Sequence, residues 1–292
     1  MHTDEVRVRL ETARALVAES FPGLEHLPVP AEGTVHAVYR IGEDLTARFP
    51  LRRADPAAVL QHLYSEAAAA GELATCSPVP VPVPVGIGRP GHGYPLPWAV
   101  QTWVSGRTAA EDDPGWSPAF AADLAGLIRR LRSVDTRGRR FAGDGRGGHL
   151  PDHDAWMETC FRRSAGLLDV DPLRRMWATF RELPRADGDV MSHGDLVPGN
   201  VVTAGGRLTG LLDGGGFGPA DPALDLVAAW HLLDDGPRAV LRDMLGCGVV
   251  EWERGRAWAF AQAMGLGWYY VESNQALSRL GLRTLERLSR AR

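Results

Sequence analysis

The chain has 292 residues, 45% of them hydrophobic, a formal net charge of -4, and 32 basic residues that are all arginine, because no lysine occurs. Length and apolar content suffice for one large domain or two lobes around a buried core and exclude a mostly disordered chain, while the mild acidity excludes the basic stripe of a nucleic-acid binder and tolerates cationic ligands. Apolar runs such as Leu226–Trp230 are broken by His231 and Asp234, far short of a membrane span, and the three scattered cysteines, Cys76, Cys160 and Cys247, lack metal-ligand spacing and fit a reducing cytoplasm.

The start, Met1 to Glu5, is polar and acidic, without the basic flank and apolar run of a secretory signal. Residues 5–20 place Val8, Ala13, Leu16 and Val17 among charges, the pattern of an amphipathic helix, which Phe21-Pro22-Gly23 ends. Val35–Ile41 and Leu45–Phe49 straddle the polar turn Gly42-Glu43-Asp44, which predicts a hairpin. A helix is expected over 56–74. The Val-Pro alternation from Pro78 to Val85 reads as a Pro-rich entry into an edge strand rather than a polyproline ligand, and 98–104 as a further strand. The first hundred residues are thus β-rich with one internal helix.

Beyond Gly106 helical signals take over. Ser117-Pro118 supplies an N-cap and a first helical position for a helix to about Val134, and Asp171-Pro172 and Asp221-Pro222 repeat that signal. Gly143–Gly148 reads as a loop, too poorly framed by strand and helix to count as a phosphate cradle. Further helices are expected at 237–245, 251–265 and 267–290.

Between these regions lies His193-Gly194-Asp195-Leu196-Val197-Pro198-Gly199-Asn200, followed by a hairpin that ends in Asp213. Phosphoryl transfer asks little covalent help of a protein: it needs an oriented hydroxyl, a divalent metal on the phosphate oxygens and charge neutralisation. A carboxylate five positions before an asparagine can orient the hydroxyl while the amide ligates metal, and a second carboxylate at the end of the hairpin completes the ligand set. Oxygen ligands that leave room for water and phosphate suit magnesium. The residues that fit are Asp195 for the hydroxyl and Asn200 and Asp213 for the metal.

His193-Gly-Asp195-Leu-x-x-x-Asn200, with Leu211-Leu212-Asp213 and Asp221-Pro222-x-x-Asp225-Leu226 downstream, resembles the aminoglycoside phosphotransferase family in spacing and order. Val38-Tyr39-Arg40, Arg48-Phe49-Pro50, Gly93-Tyr94-Pro95 with Trp98, Arg146-Gly147-Gly148 and Trp252–Arg256 are similar to further segments of its bacterial members, so the likeness covers nearly the whole chain. The resemblance implies an α+β, two-lobed, protein-kinase-like fold: a β-rich nucleotide-binding lobe over 1–105, with one internal helix, and a mainly helical catalytic and substrate-binding lobe over 106–292. It also implies ATP or GTP as donor, Mg2+, and a small-molecule hydroxyl acceptor, with an aminoglycoside-like natural product as first expectation and a macrolide, other antibiotic or metabolic alcohol as alternatives. Asp195 then resembles the catalytic aspartate, Asn200 and Asp213 the metal ligands, and Trp103 and Val104 the stretch whose backbone meets the purine. Arg48 falls where many relatives place a phosphate-binding lysine, with Glu66 as its ion-pair partner. The sequence departs from the family in three places: Arg48 itself, Gly214 where an aromatic residue usually follows the second metal aspartate, and His36 where an asparagine is usual near the tip of the first hairpin.

Plainer roles compete for several of these residues. Asp221 suits an N-cap, and Asp225 suits an anchor for the Asp195 loop. Trp230, Trp252, Trp258, Trp268, Tyr269 and Tyr270 recur at helical spacing and are expected mostly in the core. Asp234, Asp235, Glu251, Glu253 and Glu272 would attract a polycation or simply face solvent. A nucleotide-binding protein with little catalysis is the reading of another class, prompted by the missing lysine and by Gly214-Gly215-Gly216. A protein kinase ranks below these readings, because the short span from Asp213 to Asp221 leaves no room for a long activation segment with a phosphosite.

Overall fold

The computed structural model describes residues 6–24, 29–31, 36–143 and 145–290. Residues 1–5 and 32–35, which carry the polar start and the beginning of the expected first strand, lie outside the described residues. Two compact units are present: one holds the chain through Thr75, Pro80–Ser105 and Leu211–Gly216, the other Cys76–Val79, Gly106–Gly210 and the chain from Phe217 onward.

In the first unit, helix α1 (Leu10–Ser20) buries Ala13, Leu16 and Val17, three of the four apolar positions noted in the sequence. Strands β1 (Val29–Ala31), β2 (His36–Ile41), β3 (Leu45–Pro50), β4 (Pro84–Gly88) and β5 (Trp98–Thr102) form an antiparallel sheet in the order β1-β2-β3-β5-β4. The expected hairpin pairs His36 with Pro50 through Ile41 with Leu45, and the Pro-rich segment leads into the edge strand β4, where a missing N–H disturbs no ladder. Phe49 stacks on Trp98 at 4.8 Å and meets Tyr94 edge-on at 5.4 Å, which fixes β3 against β5. Helix α2 (Pro56–Cys76) follows β3.

The second unit is mainly helical. After β6 (Arg107–Thr108) come α3 (Ala109–Asp112) and α4 (Pro118–Arg132), the latter capped as expected by Ser117, whose Oγ accepts from Phe120 N at 3.1 Å. Then follow α5 (Asp154–Ser164), α6 (Val170–Phe180), β7 (Val190–Ser192), β8 (Val201–Ala204), β9 (Arg207–Leu211), β10 (Gly218–Ala220), α7 (Val227–His231), α8 (Asp235–Leu245), α9 (Val249–Tyr269) and α10 (Gln275–Arg290). Helix α6 begins ahead of Asp171-Pro172, because Asp169 is its N-cap. Helix α9 runs through Gly265 and Gly267 instead of stopping there. Residues 257–264, more than two full turns, are all buried, Trp258, Phe260 and Met264 among them, so it is the central helix of this unit.

Candidate functional site

Strand β7 delivers the loop that carries Asp195. Asp225, 2% exposed, holds that loop from beneath: Oδ1 accepts from Ser192 Oγ at 2.8 Å and Gly194 N at 3.0 Å, and Oδ2 from His193 N at 3.0 Å. Gly194 takes a φ of +83°, a conformation glycine adopts without a Cβ penalty, just before Asp195. A short 3-10 turn, Pro198–Asn200, returns the chain so that Asn200 Nδ2 donates to Asp195 Oδ2 at 2.9 Å and to its carbonyl at 3.0 Å. Both bonds use the amide nitrogen of Asn200, so its carbonyl oxygen takes part in neither.

Two donors that the sequence did not single out share the remaining carboxylate oxygen. Arg146 Nη2 and Gln262 Nε2 each donate to Asp195 Oδ1 at 2.7 Å. Arg146 stands on the Gly143–Gly148 loop, which Asp221 N fastens by donating to Gly147 O at 2.8 Å. Gly147 is required there, because its φ is +118° and a Cβ would lie 2.9 Å from that of Ala220. Spacing gives no hint of either donor, since they lie 49 positions before and 67 after their acceptor. Only the Arg146-Gly147-Gly148 segment had a signal.

The expected N-cap role of Asp221 is not seen: the 3-10 turn that follows, Leu224–Leu226, starts from Ala223, and Asp221 is instead a buried acceptor. Oδ1 accepts from Ala223 N, while Oδ2 takes Arg254 as a buried ion pair and Trp258 Nε1 at 3.0 Å. The four acids Asp234, Asp235, Glu251 and Glu253 are each paired with an arginine: Arg287 at 2.7 Å, Arg238 at 3.0 Å, Arg132 at 2.8 Å and Arg256 at 3.3 Å respectively. Trp230, Trp252 and Trp258 are core, as expected, whereas Trp268, Tyr269 and Tyr270 are only partly buried.

In the first unit, Arg48 on β3 reaches Asp213 Oδ1 at 3.3 Å and His36 Nδ1 at 3.4 Å. The expected Arg48–Glu66 pair is not formed: Glu66 on α2 meets His62 at 3.2 Å instead, and the guanidinium fork turns toward Asp213. Both side chains nevertheless line one cavity of about 250 Å3 with Leu63, Val100, Gln101, Gly214 and Gly215. Gly214 and Gly215 lie directly on α2, where a Cβ would come within 2.6 Å of Leu73 and 3.0 Å of Glu66. Burial, reinforced by the Arg48 cation and partly offset by Asp213, pushes the His36 imidazole down to about 4, so it is neutral near neutral pH. Asp213 itself has φ +55°, a left-handed conformation that a non-glycine residue rarely takes and that concentrates at functional sites. Trp103 N donates to Asp44 O at 2.7 Å and Arg40 lies over the Trp103 ring at 5.2 Å, while Val104 is buried.

Among the described residues no group of three or more His, Cys, Asp or Glu side chains could cage a metal, and no helix is long and apolar enough to cross a membrane. Asn200 belongs to the second unit and Asp213 to the first, and each side chain carries an oxygen of the type magnesium accepts.

Residues 26–258 match the model of the phosphotransferase enzyme family. Aminoglycoside 3'-phosphotransferase of Salmonella typhimurium is 28% identical over 151 residues, 47% of this chain and 53% of that protein. The chain therefore spans about half the length of the curated relatives it matches. Among solved structures, the GDP complex of wild-type aminoglycoside 2'-phosphotransferase-IIIa aligns with a TM-score of 0.72 at 18% identity, covering 97% of this chain and 99% of that one. The apoenzyme of a macrolide 2'-phosphotransferase from Brachybacterium faecium aligns with a TM-score of 0.61 at 20% identity, covering 94% and 97%. The fold of this chain is that of these kinase-like phosphotransferases.

Proposed function

Because the chain belongs to the phosphotransferase enzyme family, we propose that it moves the γ-phosphate of ATP or GTP to a hydroxyl of a small natural product, with magnesium. The observation that carries this reading is the Asn200–Asp195 bond of 2.9 Å, which puts a carboxylate base and an amide ligand on one turn. Asp195 Oδ1 is held by Arg146 and Gln262, so Oδ2, with a single donor, is the oxygen left to orient an incoming hydroxyl and take its proton as the new O–P bond forms. The Asn200 carbonyl oxygen and Asp213 would hold the magnesium ion, which when bound neutralises and orients phosphate oxygens. Arg48 supplies the cation for the nucleotide phosphates, positioned by Asp213 rather than Glu66; a guanidinium fork suits phosphate oxygens. Glu66 keeps a place in the wall of the nucleotide cavity. Since the Trp103 amide is committed to Asp44, a purine edge at this stretch would meet the Val104 backbone.

An aminoglycoside-like compound is the first acceptor to test, and a cytoplasmic setting is proposed with it. The arginine pairing of Asp234, Asp235, Glu251 and Glu253 favours a second reading, an acceptor of lower positive charge such as a macrolide, since paired acids attract a polycation weakly. The test is ADP or GDP release with both nucleotides over a panel of hydroxylated antibiotics and metabolic alcohols. Asp195→Asn should lower kcat on any accepted compound by about 10²–10⁴-fold. Full turnover in that variant would dismiss the assignment, and nucleotide binding without turnover in the wild type would favour the weakly catalytic alternative.

A further inference from the structure

We infer that Thr284, His231 and Gln262 form a one-way hydrogen-bond chain that positions the Asp195 carboxylate for phosphotransfer. The inference rests on the proposed role of Asp195. His231 is fully buried, and its two ring nitrogens lie 2.9 Å from Thr284 Oγ1 and 3.2 Å from Gln262 Oε1. Gln262 Nε2 is in turn 2.7 Å from Asp195 Oδ1. All four residues belong to one compact unit, and the chain links α10, α7 and α9 to the Asp195 loop.

The direction of the chain follows from donor and acceptor chemistry. An ionised carboxylate only accepts, so Gln262 must present its NH2 to Asp195 and its carbonyl to His231. The imidazole must then carry its proton on Nε2, which leaves Nδ1 to accept from the Thr284 hydroxyl. Every member has one orientation available to it. A glutamine amide is nearly symmetric in shape, and rotated by half a turn it would aim its oxygen at the Asp195 carboxylate; with the imidazole proton on Nε2, that rotation would also set NH2 against N–H. Burial, partly offset by the bond to Gln262 and reinforced by the charges of Arg146, Arg287 and Arg283, lowers the imidazole pKa to about 3 and holds the ring neutral. Buried histidines satisfied by their neighbours are common in cores. What distinguishes this one is that its chain ends on the oxygen of the proposed base, opposite the oxygen left for the hydroxyl.

These are positioning residues: only Asp195 meets the acceptor. The first experiment needs no turnover. In histidine-15N-labelled protein, long-range 1H–15N correlations, assigned by the signal lost in His231→Gln, should show His231 as the neutral Nε2–H tautomer at about pH 6.5 and still at about pH 5. An Nδ1–H tautomer or an imidazolium overturns the chain. The second experiment compares kcat and nucleotide KM with an acceptor the wild type uses. Gln262→Leu and His231→Leu should each lose about tenfold in kcat with nucleotide KM within about twofold, the split expected when a base is mispositioned. His231→Gln, whose amide can still donate to Gln262, should recover to within about threefold of wild type. Equal losses in His231→Gln and His231→Leu, or an unchanged kcat in Gln262→Leu, overturn the positioning role. A wild type that turns over no acceptor overturns the phosphotransfer reading and the catalytic consequence together, while the tautomer still decides whether the chain exists.

Discussion

At the scale of single residues, the contact that most needs a functional explanation is Arg146 with Asp195. Both side chains are about one third exposed, at 33% and 35%, and an ion pair that wet contributes little to stability, typically about 0–1 kcal/mol. Its geometry is nonetheless specific, on a loop that tolerates only glycine at position 147. If Arg146 holds the base, Arg146→Gln should leave the thermal unfolding midpoint within about 4 °C of wild type while kcat falls by about 10–10²-fold. Differential scanning fluorimetry and steady-state ADP release on the same preparations read the two quantities. A large drop in midpoint with kcat retained would make the residue structural.

At the scale of elements, the contact between α9 and α10 turns on Gly281. A Cβ there would sit 2.7 Å from both Ala263 O and Gly267 N, which are backbone atoms that cannot swing aside. Gly→Ala in a helix interior normally gains about 1 kcal/mol, but separating two packed helices costs about 1–3 kcal/mol, so Gly281→Ala should be net destabilising. Chemical denaturation would show it as a lower midpoint with an unchanged slope. The same contact explains what the sequence did and did not reveal. The helices expected at 251–265 and 267–290 part between Gly265 and Gly267, yet α9 continues to Tyr269 because its neighbours approach at its glycines, a tertiary fact with no local signature. The capped start of α4 and the β2–β3 hairpin were legible, since Ser117-Pro118 and Gly42-Glu43-Asp44 act within a few residues. The Asp195–Asn200 contact was legible for the same reason: five positions fit one turn. Gln262, His231 and Thr284 were not, because they meet only after α7, α9 and α10 pack; Arg146 was marked only through its segment, its acceptor lying 49 positions away; and the Arg48–Glu66 pair was misjudged because Asp213, distant in sequence, competes for the guanidinium.

At the scale of the whole molecule, ligand and metal should register as stability. Anything that binds the native chain and not the unfolded one adds RT ln(1 + [L]/Kd), about 2.7 kcal/mol at a hundredfold excess over Kd. For a chain of this size each kcal/mol moves the unfolding midpoint by about 2–4 °C, so saturating ADP or GDP with magnesium should raise it by about 5–10 °C. The proposed ligands divide that increment in a testable way. Arg48 can hold phosphate without metal, whereas Asn200 and Asp213 act only through magnesium, so chelation should remove a substantial part of the shift and leave a remainder. Asp213→Asn should reproduce the chelated value whether or not magnesium is present, since an amide keeps the shape of the carboxylate and loses its charge. Its own baseline should change little, because Asp213 is half exposed and its contact with Arg48 is 3.3 Å. A nucleotide shift of equal size with and without magnesium, in wild type and variant alike, would remove Asp213 from the metal site and leave Arg48 as the main anchor of the phosphates.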